Sequence, residues 1–363
     1  MSQTASRLPA AEPRLSDWLE TAAHDLDTSN ERAAEVLPAL AADGLPGIGV
    51  PTSLGGVGGS LRDAIAAVAD VSFQSLAAGF VLWGHRTYIE YLLQSSNEDL
   101  RRRLLPELLA GAAAGATGLS NAMKHLQGFE ELQFRARVDG EHLVVDGKLP
   151  WVTNLRHAPF HLAVAIERQD GQSFIASLSS TDEGVVRSPD LDLVGLRASN
   201  TAAVTVSGTR ISAREIIHPD ARLWLPQVRP AFLGLQCGMS IGLARRALSE
   251  ARRASGAGRN VLQQIVAETA EELDRQEAAL FEGLARDAFH TQPARLFQIR
   301  IALADIVAQA TGLELQASGG RAYLSGPGQN FARRWREAAF IPVITPSIVQ
   351  LRTALAQQQG VPL

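Results

Sequence analysis

The sequence has little of what disulfide-bonded, metal-binding or nucleic-acid-binding proteins need. One of its 363 residues is a cysteine, Cys237, which excludes an internal disulfide and a thiolate metal cluster. The net charge of −4 gives no electrostatic attraction for nucleic acid, although all but two of the 34 basic residues are arginine. No secretory leader is visible at the start, and no run of about 18 uncharged apolar residues predicts a membrane span. We therefore expect a soluble, cytoplasmic globular protein without nucleic-acid or membrane partners.

The eight histidines form no metal-binding pattern in the sequence. His-Glu-x-x-His does not occur, and His157 and His161 fall where a loop is expected to enter a strand. No cysteine occurs with a plausible His–Asn pair, so a cysteine hydrolase is not indicated. Cys237 lies in an apolar helical stretch and is predicted to be a small packed residue. We expect no metal site.

Residues 1–113 are predicted to be helical. Apolar residues recur at helical spacing from Leu15 to Leu26, and Ser60 with Asp63 forms a capping-box pattern before another helix. Further helices are expected over 80–93 and from Asn97 onward. The glycine-rich segment 47–59 matches neither phosphate-binding fingerprint, so it is interpreted as a tight connection.

The periodicity changes to that of strands in residues 114–225. Alternating or continuous apolar runs predict strands at 133–138, 142–145, 160–166, 174–178 and 202–206, with others near Val186 and Val194. Asp-Gly turns separate several of them. Short strands at this spacing are typical of a β-sandwich or barrel.

Residues 226–363 are predicted to form a C-terminal four-helix bundle. Its long helical segments are expected at 231–254, 261–290, 293–318 and 346–358. The order is therefore helical domain, β domain, helical bundle.

Two segments carry residue combinations that suit a binding site. Trp151-Val-Thr-Asn154 places an aromatic ring beside a hydroxyl and an amide, which would equally suit a strand that ends against helices. Gln316-Ala-Ser-Gly-Gly320 ends a helix with two glycines, which either cap the helix or let backbone amides approach an anionic cofactor.

These segments, with others in the same order, resemble the acyl-CoA dehydrogenase superfamily through nearly the whole chain. Residues 49–56 resemble its P-x-x-x-GG loop, residues 105–111 its LP-x-x-x-x-G segment, and residues 139–154 its DG…GxKxWiTN segment. Arg253 and Gln264 have its R…fQ spacing, residues 316–323 resemble QxxGGxGy, and Arg336 begins an RDA-like triplet. The resemblance implies an α+β multidomain fold of the order given above.

The resemblance also implies a flavin site that binds FAD. The residues expected at the pyrimidine edge of the flavin ring are Thr117, Leu119 and Ser120. Those expected over one face and at the N5 side are Trp151, Val152 and Thr153. Those expected to hold the diphosphate and adenosine of a flavin bound by a neighbouring subunit are Arg253, Gln264, Gln316, Gly319 and Gly320. A homodimer or homotetramer is therefore the expected assembly.

Two departures from the family pattern affect the expected chemistry. Where the family has TE-P-x-x-GSD, this chain has Ser120-Asn-Ala-Met-Lys-His-Leu-Gln-Gly128. The family's catalytic glutamate aligns with Thr345, and the alternative position on the first bundle helix, within 228–238, has no acid. A threonine hydroxyl cannot act as the base that removes a substrate α-proton. No catalytic base is identified.

Three functions are therefore considered. The first is a flavin-dependent dehydrogenase acting on an acyl-CoA or a similar small molecule through an unrecognised base. The second is a monooxygenase of the same fold, using reduced flavin (FAD or FMN) and O₂, with Ser120, Asn121 and His85 as candidate site residues. The third is a non-catalytic binding or assembly paralogue.

The arginine excess is interpreted as compositional bias on exposed helix faces. This includes the cluster of Arg333, Arg334 and Arg336, for which a surface position is favoured over a role beside the aligned catalytic region.

Overall fold

The N-terminal part of the chain is helical, as its periodicity predicts. The computed structural model describes residues 14–126, 128, 130–157, 159–254, 258 and 260–358. Its first five helices are α1 (Leu15–Thr28), α2 (Ala33–Ala42), α3 (Leu61–Gln74), α4 (Leu76–Leu93) and α5 (Glu98–Leu109).

Capping side chains set the starts of two of these helices, and the first of them was predicted from the sequence. The Asp63 carboxylate accepts a hydrogen bond from the Ser60 backbone N–H at 2.7 Å, which completes the capping box that starts α3. Asn97 accepts a hydrogen bond from the N–H of Leu100 at 3.0 Å and starts α5. Helix α4 is buried on nearly all sides because α3, α5 and later elements pack around it.

The glycine-rich segment 47–59 forms the tight connection that the sequence predicts. The Gly49 N–H donates to the Gly58 carbonyl at 2.7 Å, and the Gly58 N–H donates to the Val50 carbonyl at 2.8 Å. A Cβ at Gly56 would lie 2.2 Å from the Val50 oxygen, so the turn requires glycine there.

The central part is a sheet with one short helix inserted. Its strands are β1 (Ala114–Thr117), β2 (Phe134–Asp139), β3 (His142–Val152), β4 (Phe160–Arg168), β5 (Ser173–Ser179), β6 (Val185–Asp190), β7 (Ala202–Ile211) and β8 (Ile216–His218). Helix α6 (Ser120–Leu126) lies between β1 and β2.

Hydrogen bonds join these strands into one eight-stranded mixed sheet. Its order is β6-β7-β3-β2-β4-β5-β8, with β1 also paired to β4. Both β1 and β2 run parallel to β4, whereas the other pairs are antiparallel. Strands β4 and β5 are buried along nearly their whole length, so the sheet is covered on both faces at these two strands.

One predicted strand is wrong. Val194 lies in an irregular connection between β6 and β7, and it is 87% exposed. An isolated apolar residue carries no periodicity, so it could not by itself indicate a strand.

The C-terminal part consists of helices that pack around two long central ones. They are α7 (Ala221–Ala254), α8 (Gln263–Ala285), α9 (Ala288–Thr291), α10 (Pro293–Ser318), α11 (Gln329–Phe340) and α12 (Ile348–Gln358). Helices α7 and α10 pack along each other, and α7 also packs on α3. The expected order of helices, sheet and helices is therefore confirmed.

Two details of the predicted bundle are wrong. The segment predicted as one helix over 261–290 is divided, because Asp287 has φ 54°, a left-handed conformation that no α-helix continues through. Helix α11 has no counterpart among the predicted segments. The predicted domain limits at 113 and 225 stay predictions. In the structure the last N-terminal helix ends at Leu109 and the first strand begins at Ala114, and the last strand ends at His218 and α7 begins at Ala221.

The arginines of α11 are not the surface cluster that was predicted. The Arg333 guanidinium donates to Glu337 at 2.8 Å, and both side chains are fully buried. Arg334 is buried too, with its Nε 2.9 Å from a carboxylate oxygen of Glu314 on α10. Arg336 is partly buried and pairs with a carboxylate on α1. A buried charge without a partner is costly, which explains why each of these arginines has a carboxylate beside it.

Two helical stretches pass a test for membrane spans that the sequence analysis did not anticipate. Pro293–Tyr323 and Gln329–Gln358 are long and apolar enough to cross a bilayer by length and composition. The first packs on α7 and α8 inside the bundle, and the second is interrupted after Phe340. Core helices pass the same test, so the absence of a membrane partner stays a prediction.

Candidate functional site

A cleft of about 460 Å³ lies where the sheet, α6 and the segment between α11 and α12 meet. A larger cavity of about 750 Å³ lies between α3, α7 and α8, but no residue predicted to bind flavin lines it. The cleft is therefore the candidate site. Its lining residues are Gly118, Ser120, Asn121, Lys124, Glu130, Gln133, Leu149, Pro150, Trp151, Phe340, Val343, Ile344 and Thr345.

Trp151 forms the aromatic wall of the cleft at the end of β3. The alternation of the strand places Val152 in the core, paired with Ala202 of β7, and leaves the Trp151 ring 48% exposed. The ring stacks on Phe340 of α11, with centroids 6.4 Å apart and planes at 20°. The cleft therefore offers an exposed aromatic surface held between the sheet and the bundle.

A chain of buried hydroxyl groups lies directly behind Trp151. The Thr153 hydroxyl is 3.1 Å from that of Thr201, which is 2.7 Å from that of Ser199. Asn154 then turns the chain with φ 61°, and its side-chain amide donates to the Gly115 carbonyl at 2.9 Å. These contacts fix the end of β3, and with it the tryptophan.

Gly118 brings α6 close to the sheet. A Cβ there would lie 2.7 Å from Leu149 Cδ1 and 2.8 Å from the Ala163 carbonyl, so the approach depends on glycine. Helix α6 begins at Ser120, and Lys124 lies one turn later on the same face, since residues four apart are neighbours on a helix. Both residues line the cleft.

A polar network at the rim of the cleft connects α6 to the segment before β2. Asn121 is held on three sides, because its amide donates to Glu130 at 2.9 Å and to the Glu131 carbonyl at 3.0 Å, and its oxygen accepts from the Gln133 N–H at 3.0 Å. The Lys124 ammonium pairs with the other oxygen of Glu130 at 2.6 Å. Both oxygens of this carboxylate are therefore engaged.

A buried arginine holds the opposite wall in place. Arg300 of α10 donates from Nε to Gln236 of α7 and from Nη2 to the Ile341 carbonyl, each at 2.9 Å. Gln236 in turn donates to the Thr345 carbonyl at 3.1 Å. The Nη1 of Arg300 has no hydrogen-bond partner among the described residues, and burial lowers the pKa of this guanidinium. The backbone that carries Thr345 is thus fixed from two helices, with a positive charge behind it.

A stack of aromatic rings fills the interior behind the cleft. The Phe80 ring is 5.1 Å from Phe340 and 5.4 Å from Trp83, and Trp83 is 5.5 Å from Phe232. The Trp83 indole N–H also donates to the Phe232 carbonyl at 3.4 Å. Phe80, Trp83 and Phe232 are each at most 3% exposed, so side chains close the space between α4 and α7 here.

The structure brings together some of the residues that the sequence predicts at the flavin ring. Ser120 and Trp151 line the cleft together with Thr345, whereas Val152 and Thr153 are buried next to Trp151 in the chain. The remaining two, Thr117 and Leu119, are also buried behind the cleft wall, and the Thr117 hydroxyl bonds the phenol of Tyr91 at 2.8 Å. Their roles toward a flavin stay predictions.

The residues predicted to serve a neighbouring subunit lie elsewhere, at one end of the bundle. The end of α7, the start of α8 and the end of α10 meet there because the three helices alternate in direction. Each polar side chain has a local partner: Arg253 pairs with Glu250 at 3.0 Å, Gln264 with Glu268 at 2.8 Å, and Gln316 with the Gly312 carbonyl at 3.3 Å.

The two glycines at this end differ in conformation and surroundings. Gly319 has φ 62°, so its backbone conformation favours glycine, whereas a Cβ at Gly320 would meet no atom within 4 Å. None of the five bundle-end residues lines the cleft. Their predicted role would require a second copy of the chain.

The candidate His85 does not line the cleft. It is fully buried in α4 and makes two backbone contacts. Lys124, Glu130 and Gln133 do line it, and the sequence analysis did not select them. One signal was available for Lys124, since it is one of two lysines in an arginine-rich chain and lies in the stretch that departs most from the family pattern.

Across the described ranges, no group of three or more His, Cys, Asp and Glu side chains is placed to hold a metal ion. The groups that the cleft offers to a ligand are an aromatic wall, a hydroxyl, side-chain amides and one lysine–glutamate pair.

Comparison with known proteins supports the resemblance. Residues 14–112 match the family described as acyl-CoA dehydrogenase, N-terminal domain. The chain is 25% identical over 333 residues to the probable acyl-CoA dehydrogenase fadE25 of Mycobacterium leprae, covering 86% of this chain and 84% of that one. It is 26% identical over 215 residues to the mitochondrial isovaleryl-CoA dehydrogenase of Pongo abelii, covering 56% of this chain but 50% of that one. The match thus spans half the length of this second relative.

Solved structures share the fold across nearly the whole chain. The chain superposes with a TM-score of 0.78 on FkbI, from biosynthesis of the methoxymalonyl extender unit of Fk520, at 24% identity over 96% of this chain and 99% of that one. Glutaryl-coenzyme A dehydrogenase in complex with glutaryl-CoA gives 0.78 at 16% identity, covering 98% of both chains. Dibenzothiophene monooxygenase TdsC of Paenibacillus sp. A11-2 gives 0.79 at 18% identity, covering 95% of both chains. Dehydrogenases and monooxygenases therefore share this architecture.

Proposed function

We propose that the chain, as a member of the acyl-CoA dehydrogenase superfamily, is a flavin-dependent oxidoreductase that acts on a small molecule, and that it does so although its own position 345 carries no carboxylate. The observation that carries the proposal is a cleft whose lining includes Trp151, Ser120 and Thr345. Three features meet at this cleft. They are the aromatic wall of Trp151 and Phe340, the hydroxyl of Ser120 at the start of α6, and the backbone segment that Gln236 holds at the Thr345 carbonyl.

The residues of the cleft fit the ring system of a flavin. An isoalloxazine is flat and apolar on its faces and has hydrogen-bonding atoms on its edges, so it needs an aromatic wall and nearby polar groups. The exposed face of Trp151 supplies the first, and Ser120 with Gln133 in the lining of the cleft supplies the second. When bound, FAD, or FMN in a monooxygenase, would supply the capacity to accept or donate two electrons.

The charges in the cleft favour a monooxygenase as the more specific candidate. Removal of a substrate α-proton needs a base with a free site, and position 345 is a threonine. Glu130 is the carboxylate that lines the cleft, and both of its oxygens are engaged by Asn121 and Lys124. Oxygen transfer from a reduced flavin needs no such base, so this arrangement suits it better than acyl-CoA dehydrogenation.

The separation of the predicted residues into two sets supports an oligomer. The bundle-end set lies away from the cleft, so it would contact a flavin held mainly by another copy of the chain. A homodimer or homotetramer is therefore part of the proposal. Light scattering after size exclusion, with and without FAD, tests it; a monomer at all protein concentrations would contradict it.

Trp151 provides the sharpest test of flavin binding. We expect Trp151→Leu to weaken the binding of FAD at least tenfold, because the variant loses the aromatic face that the ring would stack on. The dissociation constant is measured from the quenching of flavin fluorescence and from the visible spectrum. Trp335→Leu is the matched control, since Trp335 is 49% exposed on α11 and does not line the cleft. Equal loss in both variants would contradict the assignment.

Two further measurements separate the candidate functions. A wild-type protein that binds no FAD would remove both enzyme functions and leave a non-catalytic binding or assembly paralogue. Anaerobic addition of acyl-CoAs of several chain lengths should leave the flavin spectrum oxidised, whereas bleaching by any of them would indicate a dehydrogenase. With reduced flavin and O₂, a monooxygenase gives a hydroxylated product in addition to peroxide; peroxide alone across aromatic, amine and thioether substrates would count against it.

A further inference from the structure

Lys124 is the cationic residue that lines the cleft. Its side chain is 25% exposed, so part of it is accessible from the cleft. An ammonium group has three N–H donors, and the contact with Glu130 at 2.6 Å uses one of them. The remaining donors are available to an acceptor that enters the cleft.

The position of this lysine is set before any ligand arrives. Lys124 lies on α6, and its partner Glu130 is fixed by the Asn121 amide at 2.9 Å. Asn121 in turn holds the Gln133 N–H at 3.0 Å, which ties the segment to the start of β2. A site whose side chains are already positioned loses little conformational freedom when it binds a ligand.

The composition of the chain makes the lysine conspicuous. Of 34 basic residues, Lys124 and Lys148 are the two that are not arginine. An arginine would pair with Glu130 through a broad planar fork, whereas an ammonium is a compact charge that leaves room in a small cleft. The size of the cleft, about 460 Å³, is consistent with that need for room.

The aromatic stack limits how far a ligand can extend. Phe340 forms the inner wall of the cleft, and behind it the rings of Phe80, Trp83 and Phe232 follow one another at 5.1 to 5.5 Å. A long ligand chain that extended past Phe340 in this direction would have to displace these buried rings. The geometry therefore favours a ligand that ends at Phe340.

We propose that the cleft binds a compact molecule and not a long-chain acyl group. The molecule carries an anionic oxygen group that accepts a hydrogen bond from the Lys124 ammonium. The anionic group is assigned to the carboxylate of a substrate. The same chemistry is present in the phosphate of a flavin, so the test separates the two sources. The inference deepens the proposed function, because it names the class of substrate for that same cleft.

The experiment measures binding of benzoate and of the neutral benzamide by isothermal titration calorimetry, on the full chain with and without FAD. Benzoate should bind at least tenfold more tightly than benzamide. Lys124→Gln should remove at least tenfold of the benzoate affinity, Lys124→Arg should restore part of it, and the affinity for FAD should change less than threefold. Lys148→Gln, an exposed lysine on β3, is the matched control and should leave benzoate affinity within twofold.

Several results would overturn the inference. Equal binding of benzoate and benzamide, or no binding of either, would show that the cleft has no anion site. A tenfold loss of FAD affinity in Lys124→Gln with unchanged benzoate binding would assign the lysine to the flavin phosphate. Decanoate binding tenfold more tightly than butanoate would show that the aromatic stack does not limit ligand length.

The same measurements distinguish this inference from the proposed function. Benzoate selectivity that depends on Lys124, in a protein that binds no FAD, would support the anion site and contradict the flavin enzyme. FAD binding without benzoate selectivity would do the reverse.

Discussion

Replacement of Asp27 by alanine should lower the free energy of unfolding by about 3 kcal/mol, the lower end of the cost of removing one partner of a buried ion pair, because its partner Arg336 is 27% exposed. Asp27 lies at the end of α1 and is fully buried. One of its oxygens accepts from the Leu196 N–H at 2.8 Å, in the connection between β6 and β7. The other accepts from Arg336 of α11, at 2.8 Å from Nε and 2.6 Å from Nη2.

This carboxylate thus connects all three parts of the chain. The sheet approaches it closely because residue 195 is glycine; a Cβ there would lie 2.6 Å from the Asp27 oxygen. Without the carboxylate, the Leu196 N–H and the Arg336 guanidinium would lose their acceptor in a site with little water. The effect should therefore include loosening of the sheet against both helical parts.

Denaturant unfolding of Asp27→Ala and wild type, followed by circular dichroism, measures the change. Asp305→Ala is the control, because Asp305 is mostly exposed and lies 3.4 Å from Arg352 in a surface pair, for which a loss below about 1 kcal/mol is expected. Equal losses in the two variants would show that the Asp27 contacts do not stabilise the fold. Limited proteolysis between β6 and β7 should accelerate in Asp27→Ala only.

Acid should destabilise the protein through His85 by about 3 kcal/mol between pH 6.5 and pH 4. His85 is fully buried in α4, and burial lowers its pKa from 6.5 to about 4. The Gly115 N–H donates to Nδ1 at 2.9 Å, and Nε2, 2.9 Å from the Leu108 carbonyl, donates to it. Both contacts suit the neutral ring. A second proton, on Nδ1, would point at the Gly115 N–H, which is itself a donor, so that hydrogen bond would be lost.

The direction of this effect follows from which state binds the proton. Below pH 6.5 the unfolded chain takes up a proton on His85, whereas the folded chain does not until about pH 4. The stability contributed by the neutral ring is therefore complete above pH 6.5 and is lost as the pH falls through this window.

The measurement is the unfolding free energy of wild type and His85→Gln at a series of pH values from 7 to 4. The difference between them should shrink by about 3 kcal/mol toward pH 4, because glutamine does not titrate. His142→Gln, a change at an exposed position on β3, should give a pH dependence parallel to wild type. A constant difference between His85→Gln and wild type would contradict the buried neutral ring.

Elements with local signals were predictable from the sequence. The capping box at Ser60 fixes the start of α3, and the apolar spacing of α1 and the strand pattern of β4 each repeat often enough to identify the element. The division of the helix predicted over 261–290 was not predictable. It occurs because Asp287 adopts a left-handed conformation, and an aspartate in a helical pattern does not by itself indicate that conformation.

The buried charges were the main feature that sequence patterns concealed. Arg333 and Glu337 lie four residues apart, which is also the spacing of an exposed pair on a helix surface. Their burial is decided by tertiary packing of α11 against α7 and α10, which composition does not reveal.

The candidate site was predicted in part for a similar reason. Trp151 and Ser120 lie in contiguous motifs, so the sequence identified them. Glu130 reaches the cleft because Asn121 and Lys124 hold it there, and these contacts depend on how the segment between α6 and β2 folds back. Pairwise contacts of this kind are not visible in the sequence of one protein.

Cys237 makes this protein convenient for site-specific labelling. It is the one thiol in the sequence and is fully buried in α7, where burial raises its pKa to about 12. Thiol reagents are attacked by the thiolate and not by the thiol, so the folded protein should stay unmodified while an introduced surface cysteine reacts. A fluorophore or spin label can then be attached at one chosen position without first removing the native residue. The rate at which Cys237 itself is modified would measure how often the helical bundle around α7 opens.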